Sequence, residues 1–367
     1  MRVLLVAGAR PNFMKVAPVH RSLAAHGHET VLVHTGQHYD AQMSAAFFRD
    51  LGLPEPDHHL GVGSGSHAQQ TARVMEAFEP VFLAVRPDWL AVVGDVNSTL
   101  ACALTAVKLK AETGTRIAHI EAGLRSRDWR MPEEVNRVLT DRISDLLLTP
   151  SRDGDANLLA EGIPIERVAF VGNVMIDSLL WHLEAARELE FWRGSGVERG
   201  KYVVVTLHRP SNVEEPVSLR TVLEGLDRIG RQMPVVFPMH PRTRKNVTQF
   251  GLDSLLERLS VVEPVGYLEM LSLTEAACVV LTDSGGIQEE TTALGVPCVT
   301  LREATERPIT VTEGTNRLAP WPLTVAGIET AWREASGGAR AAVRRPEGWD
   351  GGAANRVVEA LLDAASR

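Results

Sequence analysis

Short apolar runs rich in β-branched residues alternate with amphipathic stretches almost from one end of the chain to the other, and few folds accept that pattern. Strand-like runs fall at 2–8, 30–35, 89–94, 116–121, 145–149 and 167–171, and again at 201–207, 234–239, 259–263, 277–282 and 296–301. Helix-like stretches lie between them, among them 11–26, 67–86, 96–112, 132–145 and 216–232. Such alternation predicts parallel sheets with helices on both faces, because every parallel crossover needs a covering helix. A chain of 367 residues exceeds one typical core, so the two series read as two doubly wound domains. The break is expected where a helix rich in Glu and Leu runs into Arg193-Gly-Ser-Gly196, giving domains 1–172 and 173–351 and a short terminal helix at 352–367. Ligands of such sheets bind beyond the carboxyl ends of the strands, which directs attention to the residues just past each run and, with two domains, to a cleft between them.

The bulk properties exclude several partners. A net charge of −8 without a basic stripe argues against nucleic acid. No apolar run reaches membrane-spanning length, and Met1-Arg-Val-Leu-Leu-Val-Ala enters a strand directly, so neither membrane span nor signal peptide is expected and the location expected is cytoplasmic. Cys102, Cys278 and Cys298 lack C-x-x-C spacing and sit in apolar runs, which predicts buried reduced thiols. The histidines, His26, His28, His58 and His59 included, lack metal-site spacing, and no metal is expected.

The most telling junction is Leu281-Thr-Asp-Ser-Gly-Gly-Ile-Gln-Glu-Glu290. A buried strand ends in turn and cap residues, then two glycines open a helix, so backbone N–H groups and the positive end of the helix dipole face an incoming anion unobstructed. Glu289 and Glu290 would repel bare phosphate but can accept hydrogen bonds from sugar hydroxyls, which favours a nucleoside diphosphate. Arg302 and Arg307 follow the next strand. After the first strand, Arg10 and Lys15 stand at a helix start, where a cation is unfavourable to the dipole unless it meets an anion. Asp95 follows Gly94, and Glu121 emerges from a strand beside glycine, where a carboxylate can be partly desolvated. Met131-Pro-Glu-Glu-Val-Asn-Arg137 opens a helix in which Arg137, four residues beyond Glu133, is expected to hold that carboxylate. His208-Arg209 ends another strand and suits acid/base or phosphate work, and His240-Pro-Arg242 repeats it more weakly.

In this order, Gly8-Ala-Arg-Pro-Asn-Phe-Met-Lys15, Gly36-Gln-His-Tyr-Asp40, Gly94-Asp-Val-Asn-Ser-Thr99, His119-Ile-Glu-Ala-Gly-Leu-Arg125, Pro132-Glu-Glu-Val-Asn-Arg137, Gly172-Asn173, His208-Arg209, Thr282-Asp-Ser-Gly-Gly-Ile-Gln-Glu-Glu290, Thr305-Glu-Arg-Pro308 and Gly314-Thr-Asn316 resemble the non-hydrolysing UDP-N-acetylglucosamine 2-epimerases of bacteria and archaea. The resemblance implies a glycosyltransferase-B-like fold, two Rossmann-like domains facing across a cleft, with the last helix packing back on the first and the second binding UDP. It implies interconversion of UDP-N-acetylglucosamine and UDP-N-acetylmannosamine with no cofactor and no metal, and a homodimer. By the family's pattern Asp95, Glu121, Glu133 and His208 match catalytic positions. Arg10, Ser284, Gly285, Gly286, Glu290 and Arg307 match nucleotide-binding positions, Lys15 and Arg137 further supports of the site, and Val265-Gly266-Tyr267 the segment that meets uracil.

The competing expectations are a hydrolysing epimerase, which would release UDP and N-acetylmannosamine, an epimerase of a modified UDP-hexosamine, and a glycosyltransferase. A non-catalytic UDP-sugar binder would share the clamp without needing Asp95, Glu121 and Glu133 together.

Overall fold

The computed structural model describes residues 1–36, 48, 50–337 and 345–366. The chain forms two compact units, Met1–Trp181 with Glu347–Arg367, and His182–Pro346. The division falls inside the helix Val174–Leu189 rather than ahead of it at 172.

In the first unit the strands are β1 (Arg2–Ala7), β2 (Glu29–His34), β3 (His58–His59), β4 (Trp89–Val93), β5 (Arg116–Ile120), β6 (Leu146–Thr149) and β7 (Val168–Phe170). They pair in parallel in the order β3-β2-β1-β4-β5-β6-β7. Helices cover the central strands, so β4 is buried at every position and reads as an unbroken apolar run. Val74, Phe78 and Phe82 of the helix His67–Val85 pack on Leu4, Val6, Leu90 and Val92. That helix starts with a reciprocal cap, in which the Gln69 N–H donates to Ser66 Oγ and the Ser66 N–H to Gln69 Oε1. The terminal helix Ala353–Ala365 lies against the helix Arg10–Ala25, where Ser22 Oγ and Asn355 Oδ1 are 2.8 Å apart. Its first N–H groups, those of Ala353 and Ala354, donate to the buried Asp177 carboxylate at 3.2 and 2.7 Å.

The second unit repeats the plan. Its strands are β8 (Val203–Thr206), β9 (Val235–Pro238), β10 (Ser260–Val262), β11 (Val279–Thr282), β12 (Cys298–Thr300) and β13 (Asn316–Leu318), parallel in the order β10-β9-β8-β11-β12-β13. Val203, Val205, Leu219, Val222, Phe237 and Trp332 belong to its core. The expected α/β class with two doubly wound, Rossmann-like sheets is therefore present. Two short polar strands, β3 and β13, were not among the expected runs.

Cys102 and Cys298 are buried thiols and Cys278 is half-buried, all three free and all pushed up in pKa by burial. No helix of the described residues is long and apolar enough to cross a membrane.

Candidate active site

In both sheets the strand order reverses beside the first strand of the series, and the carboxyl ends flanking that point bear the polar clusters. In the first unit these are the ends of β1 and β4. Gly94 closes β4 at φ 69°, with Glu121 Oε2 and Lys15 Nζ within 3.1 and 3.4 Å of where a Cβ would stand. A side chain there would be strained in conformation and crowded by the pair. Lys15 and Glu121 form a direct, buried ion pair, so the cation at the helix start has its anion within the chain. Glu121 itself has φ 70°, a left-handed conformation that costs a non-glycine residue and turns the chain sharply out of β5. His119, two residues earlier, donates from Nε2 to the Gly94 carbonyl at 2.8 Å while Nδ1 lies 2.6 Å from Asp141.

Asp95 receives the Arg137 fork, Nη2 at 2.6 Å and Nε at 3.1 Å. The third arm of that guanidinium donates from Nη1 to Glu134 at 2.6 Å. Arg137 thus grips Asp95 and Glu134, which corrects the expectation that it holds Glu133. Glu134 turns inward because the Ser126 and Arg127 N–H groups also donate to it. Burial pushes its pKa up, but those donors and Arg137 outweigh burial and hold it below the ordinary carboxylate range. Glu133 is half-buried, with no hydrogen bond or ion pair among the described residues. Asn136 donates to the Asp95 carbonyl at 2.9 Å and fixes the backbone of that turn. Arg10 begins the helix after β1, and its side chain lies outside the described residues, as does most of the Gly36–Asp40 segment.

In the second unit the flanking ends are those of β8 and β11. Asp283, fully buried at the end of β11, accepts the His208 and Arg209 N–H groups at 3.1 and 3.0 Å and the Asn212 amide at 3.1 Å. The His208 Nδ1 lies 2.9 Å from the same carboxylate, with the imidazole half exposed. Burial pushes Asp283 up, yet His208, Arg209 and Asn212 prevail and hold its pKa below the ordinary value. The helix Gly285–Leu294 then begins, with Ser284 as its extended N-cap; the Ser284 N–H is engaged by Thr282 Oγ1 and the Ser284 side chain makes no capping bond.

Gly285 is buried at this mouth, and a Cβ on it would collide with the Arg307 guanidinium and the Glu306 carboxylate. Around it Arg307 pairs with Glu306 at 2.6 Å and Glu289 at 2.9 Å, Arg302 reaches Glu306 at 2.9 Å, and Arg209 lies 3.6 Å from Glu306. Three guanidiniums therefore face two carboxylates, an excess of positive charge at a helix N-terminus, the electrostatics a diphosphate needs. Glu290 is buried beside Glu289 and its pKa is pushed up to about 8, first by burial and then by its neighbour's charge. The Tyr267 hydroxyl faces Glu290 without closing a hydrogen bond of ordinary geometry, and burial raises its pKa well above the usual phenol value. Tyr267 starts the helix Tyr267–Ala276; a concavity of about 350 Å³ is lined by Phe191, Val262, Glu263, Pro264, Val265, Gly266 and Glu269.

From the sequence Asp283 reads as a turn residue, Glu134 as a first-turn acid weighed alongside Glu133, and Asn136 and Asn212 are given no role. Glu289 was expected to face a sugar and is instead bound to Arg307. Among the described residues no group of three or more His, Cys, Asp or Glu side chains is placed to hold a metal ion.

Doubly wound sheets carrying carboxylates and a carboxylate-held histidine at their switch points, with an arginine-ringed helix mouth in the second, define an α/β protein of two Rossmann-like units. The model of the family described as UDP-N-acetylglucosamine 2-epimerase matches residues 21–362. A UDP-N-acetylglucosamine 2-epimerase of Methanococcus maripaludis is 43% identical over 87% of this chain and 87% of its own. A UDP-2,3-diacetamido-2,3-dideoxy-D-glucuronate 2-epimerase of Pseudomonas aeruginosa is 44% identical, covering 87% of this chain and 88% of its own. The crystal structure of the Methanocaldococcus jannaschii UDP-GlcNAc 2-epimerase, in complex with UDP-GlcNAc and UDP, superposes with a TM-score of 0.91 at 39% identity, over 99% of this chain and 100% of that one. The chain belongs to the UDP-N-acetylglucosamine 2-epimerase family and is an isomerase.

Proposed function

We propose that this protein interconverts UDP-N-acetylglucosamine and UDP-N-acetylmannosamine without hydrolysis, by eliminating UDP and adding it back. The hydrogen on sugar C2 has no adjacent carbonyl, so direct deprotonation has no enolate to stabilise it. If the C2–H bond gives its proton to a base while the C1–O bond gives its electron pair to UDP, a C1=C2 double bond forms and the intermediate is 2-acetamidoglucal. Return of UDP to C1, with a proton delivered to the opposite face of C2, inverts that carbon. The route needs groups on two sides of the ring, for which Asp95, Glu121, Glu133 and His208 are the candidates. It also needs the leaving group to be stabilised and retained. The observation that supports the reading most is the Ser284-Gly285-Gly286 helix mouth with its excess of guanidinium charge, assigned here to the diphosphate together with Arg10 and Arg307. Glu290 and Tyr267 are assigned to the ribose and uracil side.

Incubation with UDP-N-acetylglucosamine in D₂O tests it. NMR is expected to find deuterium at C2 and two intact nucleotide sugars, with Glu121→Gln and His208→Ala each abolishing the exchange at a temperature where circular dichroism shows the variant folded. Free N-acetylmannosamine would establish the hydrolysing route instead, and near-wild-type turnover in both variants would undo the site assignment. The Pseudomonas aeruginosa relative, as similar as any above, favours a second reading, a 2,3-diacetamido uronic acid on the same UDP carrier. The same incubation with that nucleotide sugar separates the two.

A further inference from the structure

Four donors converge on the Asp283 carboxylate: the backbone N–H groups of His208 and Arg209, the Asn212 amide, and His208 Nδ1, with the His208 N–H shared between both oxygens at 3.1 Å. The carboxylate is completely buried, and among the described residues its one ion-pair partner is the imidazole it faces. An ionised carboxylate only accepts, so the nitrogen facing it must carry hydrogen. The Nδ1–H tautomer follows, and Nε2 keeps the lone pair. The arrangement spans the strand-order reversal: Asp283 closes β11, His208 follows β8, and neighbouring rungs of those strands set their spacing.

We propose that Asp283 is the positioning residue for His208, holding Nδ1–H so that Nε2 alone faces outward to exchange a proton with substrate or leaving group. The idea deepens the epimerase reading and rests on it for the identity of the reaction, but the tautomer it requires is independent of any activity. When His208 takes a proton on Nε2, the resulting imidazolium stands against a buried negative charge, which stabilises the protonated state at the moment it forms. Asp283 itself keeps its charge throughout.

The test begins with the wild-type protein carrying ¹⁵N-labelled histidine. Two-bond ¹⁵N–¹H spectra above neutral pH are expected to show His208 protonated on Nδ1, its peaks assigned by their loss in His208→Ala. An Nε2–H tautomer there would overturn the proposal, whatever the enzyme turns over. Asp283→Asn supplies the second arm, because its amide can present N–H to Nδ1 and force hydrogen onto Nε2. That variant is expected to switch the tautomer and to lose about 100-fold or more in kcat, with KM changed little, in line with wrong-tautomer substitutions elsewhere. Asn212→Ala removes a donor to the same carboxylate without touching the imidazole, and is expected to keep both the tautomer and kcat within a few-fold of wild type. A tautomer switch in Asp283→Asn with undiminished kcat would also overturn it, as would equal kcat losses in Asp283→Asn and Asn212→Ala. A protein that shows the Nδ1–H tautomer yet no epimerisation of any UDP-hexosamine would instead remove the reaction assignment and leave the pairing intact.

Discussion

Substituting Glu134 and Glu133 one at a time separates the two ways of reading the helix Pro132–Ile143. On spacing alone, Arg137 belongs to Glu133, four residues earlier. In the structure Glu133 has no partner among the described residues, while Glu134 accepts Arg137 Nη1 at 2.6 Å and the Ser126 and Arg127 N–H groups at 2.9 and 2.7 Å. An amide in its place sets an NH₂ against one of these donors. Removing one partner of a buried ion pair costs about 3–5 kcal/mol, and the low end applies here because Arg137 keeps Asp95. Glu134→Gln should therefore lose about 3 kcal/mol in urea unfolding at pH 7, and Glu133→Gln at most about 0.5 kcal/mol. The pH dependence has a definite sign. A carboxylate whose folded pKa is depressed contributes stability above its unfolded pKa, 4.5 here, and loses it as pH falls through the folded value. The Glu134→Gln deficit should be constant from pH 7 down to about 5 and shrink in stronger acid. Equal losses in the two variants, or a deficit that does not shrink in acid, would refute the pairing and with it the view that Arg137 positions Asp95 through a shared guanidinium.

Three further outcomes follow from contacts of the same kind. Gly285→Ala places a methyl group on a guanidinium already held by Glu289 and Glu306, so it should cost about 1–3 kcal/mol of stability and weaken UDP binding in calorimetry by at least tenfold; unchanged affinity would remove the helix mouth from the binding site. Glu290 has a raised folded pKa of about 8, so its ionisation destabilises the fold progressively from about pH 4.5 to pH 8 and no further above that. The difference in Tm between Glu290→Gln and wild type should move in the variant's favour across that window, and a flat difference would mean that Glu290 is ionised throughout. Asp177→Ala strips the acceptor from the Ala353 and Ala354 N–H groups and should cost about 1–3 kcal/mol, with faster hydrogen exchange concentrated in Ala353–Ala365; uniform exchange changes would show that the carboxylate does not anchor that helix.

What could be read from the chain divides according to how local the signal is. Runs such as Trp89–Val93 and Val279–Thr282 are buried on both faces, so their position is written in consecutive apolar residues. His58–His59 and Asn316–Leu318 lie at or near the sheets' margins, where a strand needs neither length nor apolar character, and composition alone does not mark them. The Gly-Gly mouth was legible for the same local reason, since only glycine leaves room beneath Arg307. Its ring of charge was not: Glu289 and Arg307 are 18 positions apart in sequence, and nothing in either neighbourhood says that they meet. The i,i+4 rule failed at Glu133 because it describes exposed helix faces, whereas two N–H groups from the preceding loop draw Glu134 inward.

The pairing of Asp283 with His208 was missed for a reason that can be stated as a rule. In both sheets here the first and fourth strands of the series are neighbours at the point where the order reverses, so the residues following them lie side by side however far apart they are in sequence. Counting strands sets His208–Arg209 beside Asp283–Gly285, because 277–282 is the fourth run of its series; it does not do so for Gly8–Arg10 and Gly94–Asp95, because the short β3 is not among the expected runs and 89–94 counts as the third. A histidine and a buried acid that look like unrelated turn residues thus become expected neighbours once strand order is taken as part of the sequence reading. Right-handed, uncrossed connections narrow the orders such a series can take to a few, so the dyad was within reach of physical reasoning although no single stretch of residues declares it.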